Sequence, residues 1–425
     1  MQTKVARDIM SCRTAALGGH LYRCVGCSHI EQSYNSCRNR HCPKCQGSET
    51  ARWVAERSAD LLPVPYFHTV FTLPDHFNSL VLSNKRLMYE LLFRAVRETL
   101  EAISKIPWAT ARCAARSRRL REKTCSLYRS GYTCARFLPA FSRSRSSQSL
   151  ACMVFLRWLL LTLGKNNLGV TLGFFAVLHT WGQLMQLHPH VHCVIPACGV
   201  TPSGEVKVIN ERFLLPDKVL SAVFRGKFIE FLKQEYREGR LRLPAPLSDS
   251  DSFQGFLSES CRSDWVVYSK APFAGPEVVV KYLARYTHRV AIGNSRLVSI
   301  QAGRVSFRYR DYKDDAKHKV ISLKATDFIR RFLLHVVPKG FVRIRHCGFL
   351  CHSKKRESLA RIRRELSCGS QAAAPPPVLN PHRAPKCLCC GGTLWVPCGE
   401  VPRLINTLAF AAQAPPSIAL KTLIS

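Results

Sequence analysis

Two closely spaced cysteine pairs near the amino terminus constrain the folding of this chain most strongly. Cys24 and Cys27 form one C-x-x-C pair, and Cys42 and Cys45 form a second pair after a short loop. Four thiolates at this spacing predict one tetrahedral zinc site, which would fold a segment too small to bury its own core. Further ligands compete for this site (Cys37, His41) or could help to build a second one (Cys12, His20).

The charge of the chain is strongly unbalanced. Its 425 residues, enough for two or three domains, include 63 Lys and Arg against 28 Asp and Glu, a formal net charge of +35. A charge of this size implies a polyanionic partner, and nucleic acid is the obvious candidate. Basic residues among the cysteines would present positive charge to DNA: Arg38, Arg40 and Lys44.

The sequence predicts no membrane segment. The only long apolar run, Leu150–Leu163, is interrupted by Arg157 and is too short to span a bilayer comfortably. We therefore expect a cytoplasmic, nucleoid-associated protein. In a reducing compartment, its twenty cysteines would bind metal or remain free thiols rather than form disulfides.

Hydrophobic patterning predicts an α+β fold for the rest of the chain. Aromatic and β-branched residues predict a strand at Tyr66–Leu73, and helical periodicity follows over Leu80–Lys105. Leu172–His179 and Val191–Pro196 are typical of two buried partner strands. A further hairpin is predicted around Ala302-Gly303.

The second of these buried strands begins with a pair of histidines, His190-Val191-His192. Side chains alternate along a strand, so the two imidazoles lie on one face while the valine points to the other. Two imidazoles on one face can bind a divalent metal and leave coordination positions open for a substrate oxygen. The ordinary alternative is a pair of partly exposed strand histidines.

A pair of tyrosines lies farther along, in a segment that begins at Pro276. Proline near the start and basic residues at the end are typical of a helix, although the β-branched run Val278–Val280 also suits a strand. In a helix, Tyr282 and Tyr286 project from one face. Such pairs usually serve packing, but two nearby basic side chains suit a phosphate-facing role: Arg285 and Arg289.

Several blocks of this sequence together resemble the HUH-type rolling-circle transposases of the insertion-sequence-91 family. The blocks occur in the order typical of the family: residues 12–20, 35–46 and 65–74, the histidine block, the tyrosine block and residues 338–346. The resemblance spans residues 12–105 and 165–365. Several long blocks in one order are more specific than either short motif alone.

The resemblance implies two domains, and the composition of the remaining residues suggests a third part after them. A small zinc-binding, DNA-binding domain would occupy residues 1–62. A catalytic domain at residues 63–365 would form an HUH-endonuclease-like antiparallel sheet flanked by helices, with metal ligands opposite a helix-borne tyrosine. By composition, residues 366–425 would begin with an Ala/Pro linker and end, from Leu404, in a poorly ordered tail. Four cysteines between them suggest a degenerate zinc ribbon: Cys387, Cys389, Cys390 and Cys398.

The resemblance also implies the chemistry. His190 and His192 would bind Mg²⁺ or Mn²⁺, and Tyr286 or Tyr282 would attack the phosphate of single-stranded DNA to give a 5′-phosphotyrosine and a free 3′-hydroxyl. The partners would be the single-stranded ends of a mobile element, its target DNA and the host replication machinery. Gln183 is the expected third ligand, because an amide oxygen suits a hard cation. Other histidines compete for this position: His179 and His188.

Residues 106–164 depart from the family pattern. This segment carries eleven Arg or Lys against one acidic residue, Glu122, and four cysteines. It is either an added DNA-binding arm or inserted or frame-shifted sequence without selected structure, and we favour the second interpretation. The copy could then be inactive.

Three functions remain open from the sequence. The preferred one is an active DNA strand transferase of the rolling-circle type. A catalytically inactive, zinc-dependent DNA-binding relic is the alternative. A metallohydrolase that uses water as nucleophile is the third, but the histidine pair has no carboxylate near it in the sequence.

Overall fold

The computed structural model describes most of the chain. The described residues are 1–45, 50, 53–54, 56–57, 60–104, 168–209, 217–270, 290–351, 353, 355–367 and 385–404. The expected insertion at residues 106–164 and residues 405–425 of the expected tail lie outside them. In chain order, the described helices are α1 (Gln2–Ser11), α2 (Asn78–Ser83), α3 (Lys85–Ser104), α4 (Asp217–Arg237), α5 (Ser250–Arg262), α6 (Ala325–Leu334) and α7 (Lys355–Ser367).

The described strands form four sheets. In chain order they are β1 (Gly19–Cys24), β2 (Ile30–Tyr34), β3 (Tyr66–Thr72), β4 (Thr171–Leu172), β5 (Phe174–Trp181), β6 (Leu187–Pro196), β7 (Cys198–Val200), β8 (Val206–Val208), β9 (Val267–Lys270), β10 (Leu297–Gln301), β11 (Arg304–Asp311), β12 (Lys317–Lys324), β13 (Ile344–Cys347) and β14 (Trp395–Val401). All pairs of described strands are antiparallel and helices pack against them, which confirms the predicted α+β class.

A five-stranded antiparallel sheet lies at the centre, in the order β13-β5-β6-β3-β9. Strands β5 and β6 form a hairpin, and β6 pairs on its other side with β3. All three strands are rich in aromatic and β-branched residues and are almost wholly buried. The strands predicted from the sequence at these positions are therefore confirmed, with ends that differ by a few residues.

One face of the central sheet is covered by α3 and α4. Every second residue of β6, such as Val191 and Ile195, points into this core. Helix α3 presents Leu92 and Val96, four residues apart, to the same cluster. Phe71 of β3 lies 5.2 Å, centroid to centroid, from a phenyl ring of α4. This is the largest apolar cluster among the described residues.

The opposite face of the sheet has an apolar part and a polar part. Toward one end, Val177 and Val194 pack with α7 and with residues around Leu62. The alternation that sends these two valines to this face sends the histidines of the same strands there as well. The sheet therefore carries its polar cluster on the side away from α3 and α4.

A second sheet, in the order β10-β11-β12, packs against α6. Its small core contains Phe307, and Met185 from the turn between β5 and β6 reaches into it. The hairpin predicted around Ala302-Gly303 is confirmed as β10 and β11. Gly303 has a φ of +70°, a turn conformation that glycine adopts without a steric cost.

The zinc-binding region forms a third sheet, in the order β14-β1-β2. Strand β14 comes from residues 395–401, within the stretch whose cysteines suggested a degenerate zinc ribbon and ahead of the expected tail. It pairs with β1 from Gly19↔Val401 to Cys24↔Trp395. The sequence did not predict this strand, because its pairing partner is distant in the chain and no local pattern shows such pairing. Among the described residues, no helix has both the length and the hydropathy needed to cross a bilayer.

Candidate metal centres

Three histidines meet on the face of the central sheet that lies away from α3 and α4. The pairing of β5 with β6 sets His179 directly opposite His190, and His192 follows two residues later on the same face. One ring nitrogen of each histidine lies within 4.8 Å of the others. The ring centroids of His179 and His192 are 4.3 Å apart. Such a spacing suits one metal ion shared by all three imidazoles.

Hydrogen bonds orient two of these rings. The Nδ1 atom of His190 lies 2.7 Å from the carbonyl oxygen of His188. A carbonyl only accepts, so Nδ1 carries the proton and Nε2 keeps the lone pair that binds metal. The Nδ1 atom of His192 lies 2.8 Å from Nε2 of His68 in β3, and the two rings are parallel within 3°. His68 thus supports His192 from the neighbouring strand.

Burial keeps these imidazoles neutral. Removal from water lowers the pKa of His190 to about 4 and that of His68 to about 4. The same cause, followed by the neighbouring histidines, holds the pKa of His192 well below its usual range. A neutral imidazole is the form that ligates a metal, so the site is ready to bind one at neutral pH.

The three residues considered as third ligand lie in different surroundings. Gln183 lies in the turn beyond the paired part of the β5–β6 hairpin, and its side-chain oxygen accepts the backbone N–H of Arg310 at 3.4 Å. His188 points to Asp75, with 3.2 Å between Nδ1 and Oδ1. The histidine that joins the pair is His179, because the strand register sets it opposite His190.

The tyrosine block lies outside the described residues. Strand β9 ends at Lys270, and the description resumes at residue 290. The expected roles of Tyr282 and Tyr286, and of Arg285 and Arg289, therefore remain predictions.

Eight of the described cysteines form two clusters, and the two C-x-x-C pairs expected to share one site lie in different clusters. The first consists of Cys12, Cys37, Cys42 and Cys45. The second consists of Cys24, Cys27, Cys387 and Cys390. The sulfur–sulfur distances between partners range from 3.5 to 3.7 Å. A tetrahedral zinc ion with Zn–S bonds of about 2.3 Å spaces its sulfurs by about 3.8 Å, so both clusters have the size of a zinc site.

The split of the expected site has a geometric cause. Cys24 lies at the tip of the β1–β2 hairpin, because Arg23 pairs with Ile30, whereas Gly19 pairs with Tyr34 at the open end. Residues after Tyr34 therefore lie one strand length away from the tip, about 17 Å for five residues. The two C-x-x-C pairs cannot share one ion at that separation.

The imidazoles considered as zinc ligands are not in either cluster. His41 accepts the backbone N–H of Val337 through Nε2 at 3.3 Å, and its Nδ1 lies 3.0 Å from the side-chain oxygen of Asn39. Its ring thus joins the zinc-binding region to the segment after α6. His20 is exposed on β1.

The basic residues expected to contact DNA differ in the hydrogen bonds that they make within the protein. Arg40 donates to the backbone oxygens of Phe341 and Pro338, so it holds the zinc-binding region in place. Lys44 donates to the backbone oxygen of Cys12 at 3.2 Å. Arg38 is exposed, with a φ of +51° in the loop that carries the first cluster.

Sequence reasoning missed the roles of two features. His68 was within a matching block, and the alternation of β3 could have placed it on the histidine face. The carboxyl-terminal cysteines looked irregular because Cys389 interrupts them. Cys387 and Cys390 nevertheless form a C-x-x-C pair, followed by two glycines, and this was the available signal.

Two protein families match this sequence. Residues 1–73 match the family described as "Transposase zinc-binding domain", and residues 173–357 match the family described as "Putative transposase". The "Putative transposase y4qJ" of Sinorhizobium fredii is 40% identical over 366 residues, which cover 85% of this chain and 77% of that protein. The "Transposase for insertion sequence element IS801" of Pseudomonas savastanoi pv. phaseolicola is 24% identical over 436 residues, which cover 97% of this chain and 88% of that protein. No solved structure matches.

The α+β fold, the thiol clusters and these matches define a transposase with an amino-terminal zinc-binding domain. The chain belongs to the insertion-sequence-91 family of transposases. Membership implies action on DNA and a structural zinc ion, which the net charge of +35 and the cysteine clusters support.

Proposed function

We propose that this chain is an HUH-type strand transferase, which cleaves and rejoins single-stranded DNA during rolling-circle transposition. The observation that carries the proposal is the convergence of His179, His190 and His192 on one face of the sheet in a chain of a transposase family. The single-stranded ends of the element and its target DNA would be the substrates. The free 3′-hydroxyl produced would be a primer for the host replication machinery.

The three histidines fit a divalent transition metal. Neutral nitrogen donors without a carboxylate favour Mn²⁺ over Mg²⁺, which prefers oxygen ligands. A cation held here would polarise a scissile phosphate and stabilise the departing oxygen. His190 and His192 are oriented by hydrogen bonds to the His188 carbonyl and to His68, which fix the rings before any ion binds. We assign the third position to His179.

We assign nucleophilic attack to Tyr286 or Tyr282. The phenolic oxygen loses its proton and forms a bond to phosphorus, while the bond from phosphorus to the 3′ oxygen breaks and that oxygen takes up a proton. The 5′-phosphate stays on the tyrosine, so the reverse attack by a 3′-hydroxyl rejoins DNA without a nucleotide cofactor. Two tyrosines allow a second cleavage while the first strand stays covalently held.

The connectivity of the sheet supports this assignment. Strand β9, which precedes the tyrosine segment in the sequence, pairs with β3, and β3 pairs with the histidine strand β6. Strands two apart in a sheet are separated by about 10 Å. Lys270, the last described residue before the tyrosine segment, pairs with His68, whose ring lies against that of His192.

We propose that Cys12, Cys37, Cys42 and Cys45 hold the structural zinc ion of the zinc-binding domain. Four thiolates leave no open coordination position, so this site binds metal for folding and performs no chemistry. Arg38, exposed on the same loop, then presents its charge to a DNA phosphate.

The test is a covalent-adduct assay with single-stranded DNA from the flanks of the coding sequence. The DNA is labelled at its 3′ end, because the fragment that remains on the tyrosine carries that end. With Mn²⁺ the wild type is expected to form a labelled protein adduct. The double variant Tyr282→Phe/Tyr286→Phe is expected to form none, while Tyr312→Phe, at an exposed tyrosine outside the block, keeps full activity.

The other outcomes identify the competing functions. Nicked DNA without an adduct would mean that water is the nucleophile, as in a metallohydrolase. Binding without nicking would mean that this copy is a catalytically inactive, DNA-binding relic. Deletion of residues 106–164 then tests whether that segment causes the inactivity: restored cleavage would identify it as an insertion.

A further inference from the structure

We propose that Cys387 and Cys390 complete a second structural zinc site with Cys24 and Cys27, so that the zinc-binding region is built from both ends of the described chain. The two carboxyl-terminal cysteines lie 360 or more positions from their partners in sequence. They also lie outside both segments that match family models, residues 1–73 and 173–357. Nothing in the family match therefore assigns them a role.

The sulfur geometry supports a metal. The Sγ atoms of Cys24 and Cys390 are 3.5 Å apart, and those of Cys27 and Cys387 are 3.6 Å apart. All four sulfurs lie within 4.8 Å of one another. These distances suit sulfurs about 3.8 Å apart around zinc and are far longer than the S–S bond of about 2.05 Å in a disulfide. A closed set of four thiolates is typical of structural zinc.

The local backbone is adapted to the four sulfurs. A Cβ atom at Gly26 would lie 3.3 Å from the sulfur of Cys390, and one at Gly392 would lie 3.2 Å from it. Glycine at both positions therefore lets the two loops approach closely. The backbone N–H of Gly392 donates to the same sulfur at 3.4 Å. Such N–H donors stabilise a thiolate, the form that zinc requires.

Strand pairing provides an independent support. Strand β14 follows the second cysteine pair and lies along the whole length of β1. The backbone N–H of Val25 donates to the oxygen of Leu394 at 3.1 Å, which extends the contact to the cysteine loop. The carboxyl-terminal cysteines are thus positioned by six pairs of residues and not by their own loop alone.

The sheet β14-β1-β2 lacks an apolar core of its own. The residues of β2 and β14 are almost all exposed, and no described residue of β2 or β14 belongs to a hydrophobic cluster. A small sheet without buried apolar surface requires another source of stability. A zinc ion at its end supplies that source, because metal binding to a site that exists only in the folded state stabilises the fold.

The experiment counts zinc in the purified full chain under reducing conditions, by elemental analysis and native mass spectrometry. The wild type is expected to carry two structural zinc ions. Cys387→Ser/Cys390→Ser is expected to carry one. Cys389→Ser is the matched control, because this cysteine lies between the two ligands but belongs to neither cluster, and it is expected to keep both ions.

Hydrogen exchange then separates a local effect from general misfolding. In the double serine variant, residues 395–401 are expected to lose protection while the central sheet keeps it. Wild-type protein with a single zinc ion, or a double variant that keeps two, would overturn the proposal. So would disulfides at these cysteines in protein purified with reductant. None of these results depends on DNA cleavage, so they are independent of the proposed strand transfer.

Discussion

The zinc-binding region and the central sheet are both antiparallel, but they are held together differently. In the central sheet, Phe67, Phe71 and Val191 are fully buried within one large apolar cluster. In the sheet β14-β1-β2, Ile30 and Val396 are exposed, and the thiol clusters lie at its ends. Apolar burial stabilises the first sheet by itself, whereas we propose that the second depends on metal. Under the proposed function, a metal ion in the central sheet would serve chemistry, and a metal ion in the other sheet would serve folding.

Removal of zinc is expected to have a large effect on the zinc-binding region and a small effect on the central sheet. A chelator with reductant is expected to abolish the hydrogen-exchange protection of residues 19–34 and 395–401, because their sheet has no apolar core. Residues 174–196 are expected to keep their protection. Mass spectrometry of the exchanged peptides measures both at once, and an equal loss in the two regions would contradict the comparison.

Matched truncations in the two sheets form the next test. Phe71→Ala removes a fully buried ring that contacts Phe224, so the free energy of unfolding is expected to fall by about 3 to 5 kcal/mol. Ile30→Ala, at a side chain that is 55% exposed, should change it by less than about 0.5 kcal/mol. Urea unfolding followed by circular dichroism compares them, and similar losses would mean that β2 is buried by a contact outside the described residues.

The contact between the end of α6 and the β5–β6 hairpin predicts a dependence of stability on pH. His335 is buried beside the backbone oxygen of Met185, and burial lowers its pKa to about 4. In the unfolded chain the pKa of this imidazole is about 6.5. Below that pH it is protonated in the unfolded chain but stays neutral in the folded chain. The free energy of unfolding should therefore be unaffected above pH 6.5 and decrease as the pH falls toward 4, by up to about 3 kcal/mol.

The variant His335→Gln should lose less stability over this pH range, because it has no proton to take up. His20→Gln, at an exposed position on β1, is the control and should follow the wild type. Urea midpoints at several pH values give the two slopes. A variant that is as sensitive to acid as the wild type would exclude His335 as the cause.

The smallest expected effect concerns the support of the histidine cluster. His68→Phe keeps an aromatic ring at this position but removes the nitrogen that faces His192. The affinity for Mn²⁺ should therefore fall by about 10- to 100-fold. His68→Gln, whose amide oxygen can accept in place of the nitrogen, should recover part of it. His76→Phe, at a histidine that contacts Ser260, should leave it unchanged. Titration of free Mn²⁺ by electron paramagnetic resonance measures the affinity, and unchanged binding in His68→Phe would mean that His192 needs no support.

The sequence was informative where structure depends on local pattern. Strands β3, β5 and β6 lie where apolar, aromatic and β-branched residues are concentrated, and α3 follows its helical period. The partners of the cysteines could not be predicted in the same way, because they depend on the length of the β1–β2 hairpin and on a strand that arrives from residue 395. The position of His179 opposite His190 likewise depends on the register of two strands, which a single sequence does not specify.

The pairing of β14 with β1 also has a consequence for synthesis on the ribosome. Cys27 and Cys387 are separated by 360 positions, which translation at about 5 to 20 residues per second covers in about 20 to 70 s. During that time the newly made β1 is exposed along the edge that β14 later covers. The usual order, in which the first part translated folds first, is thus reversed for this sheet, and a prematurely terminated chain never completes it.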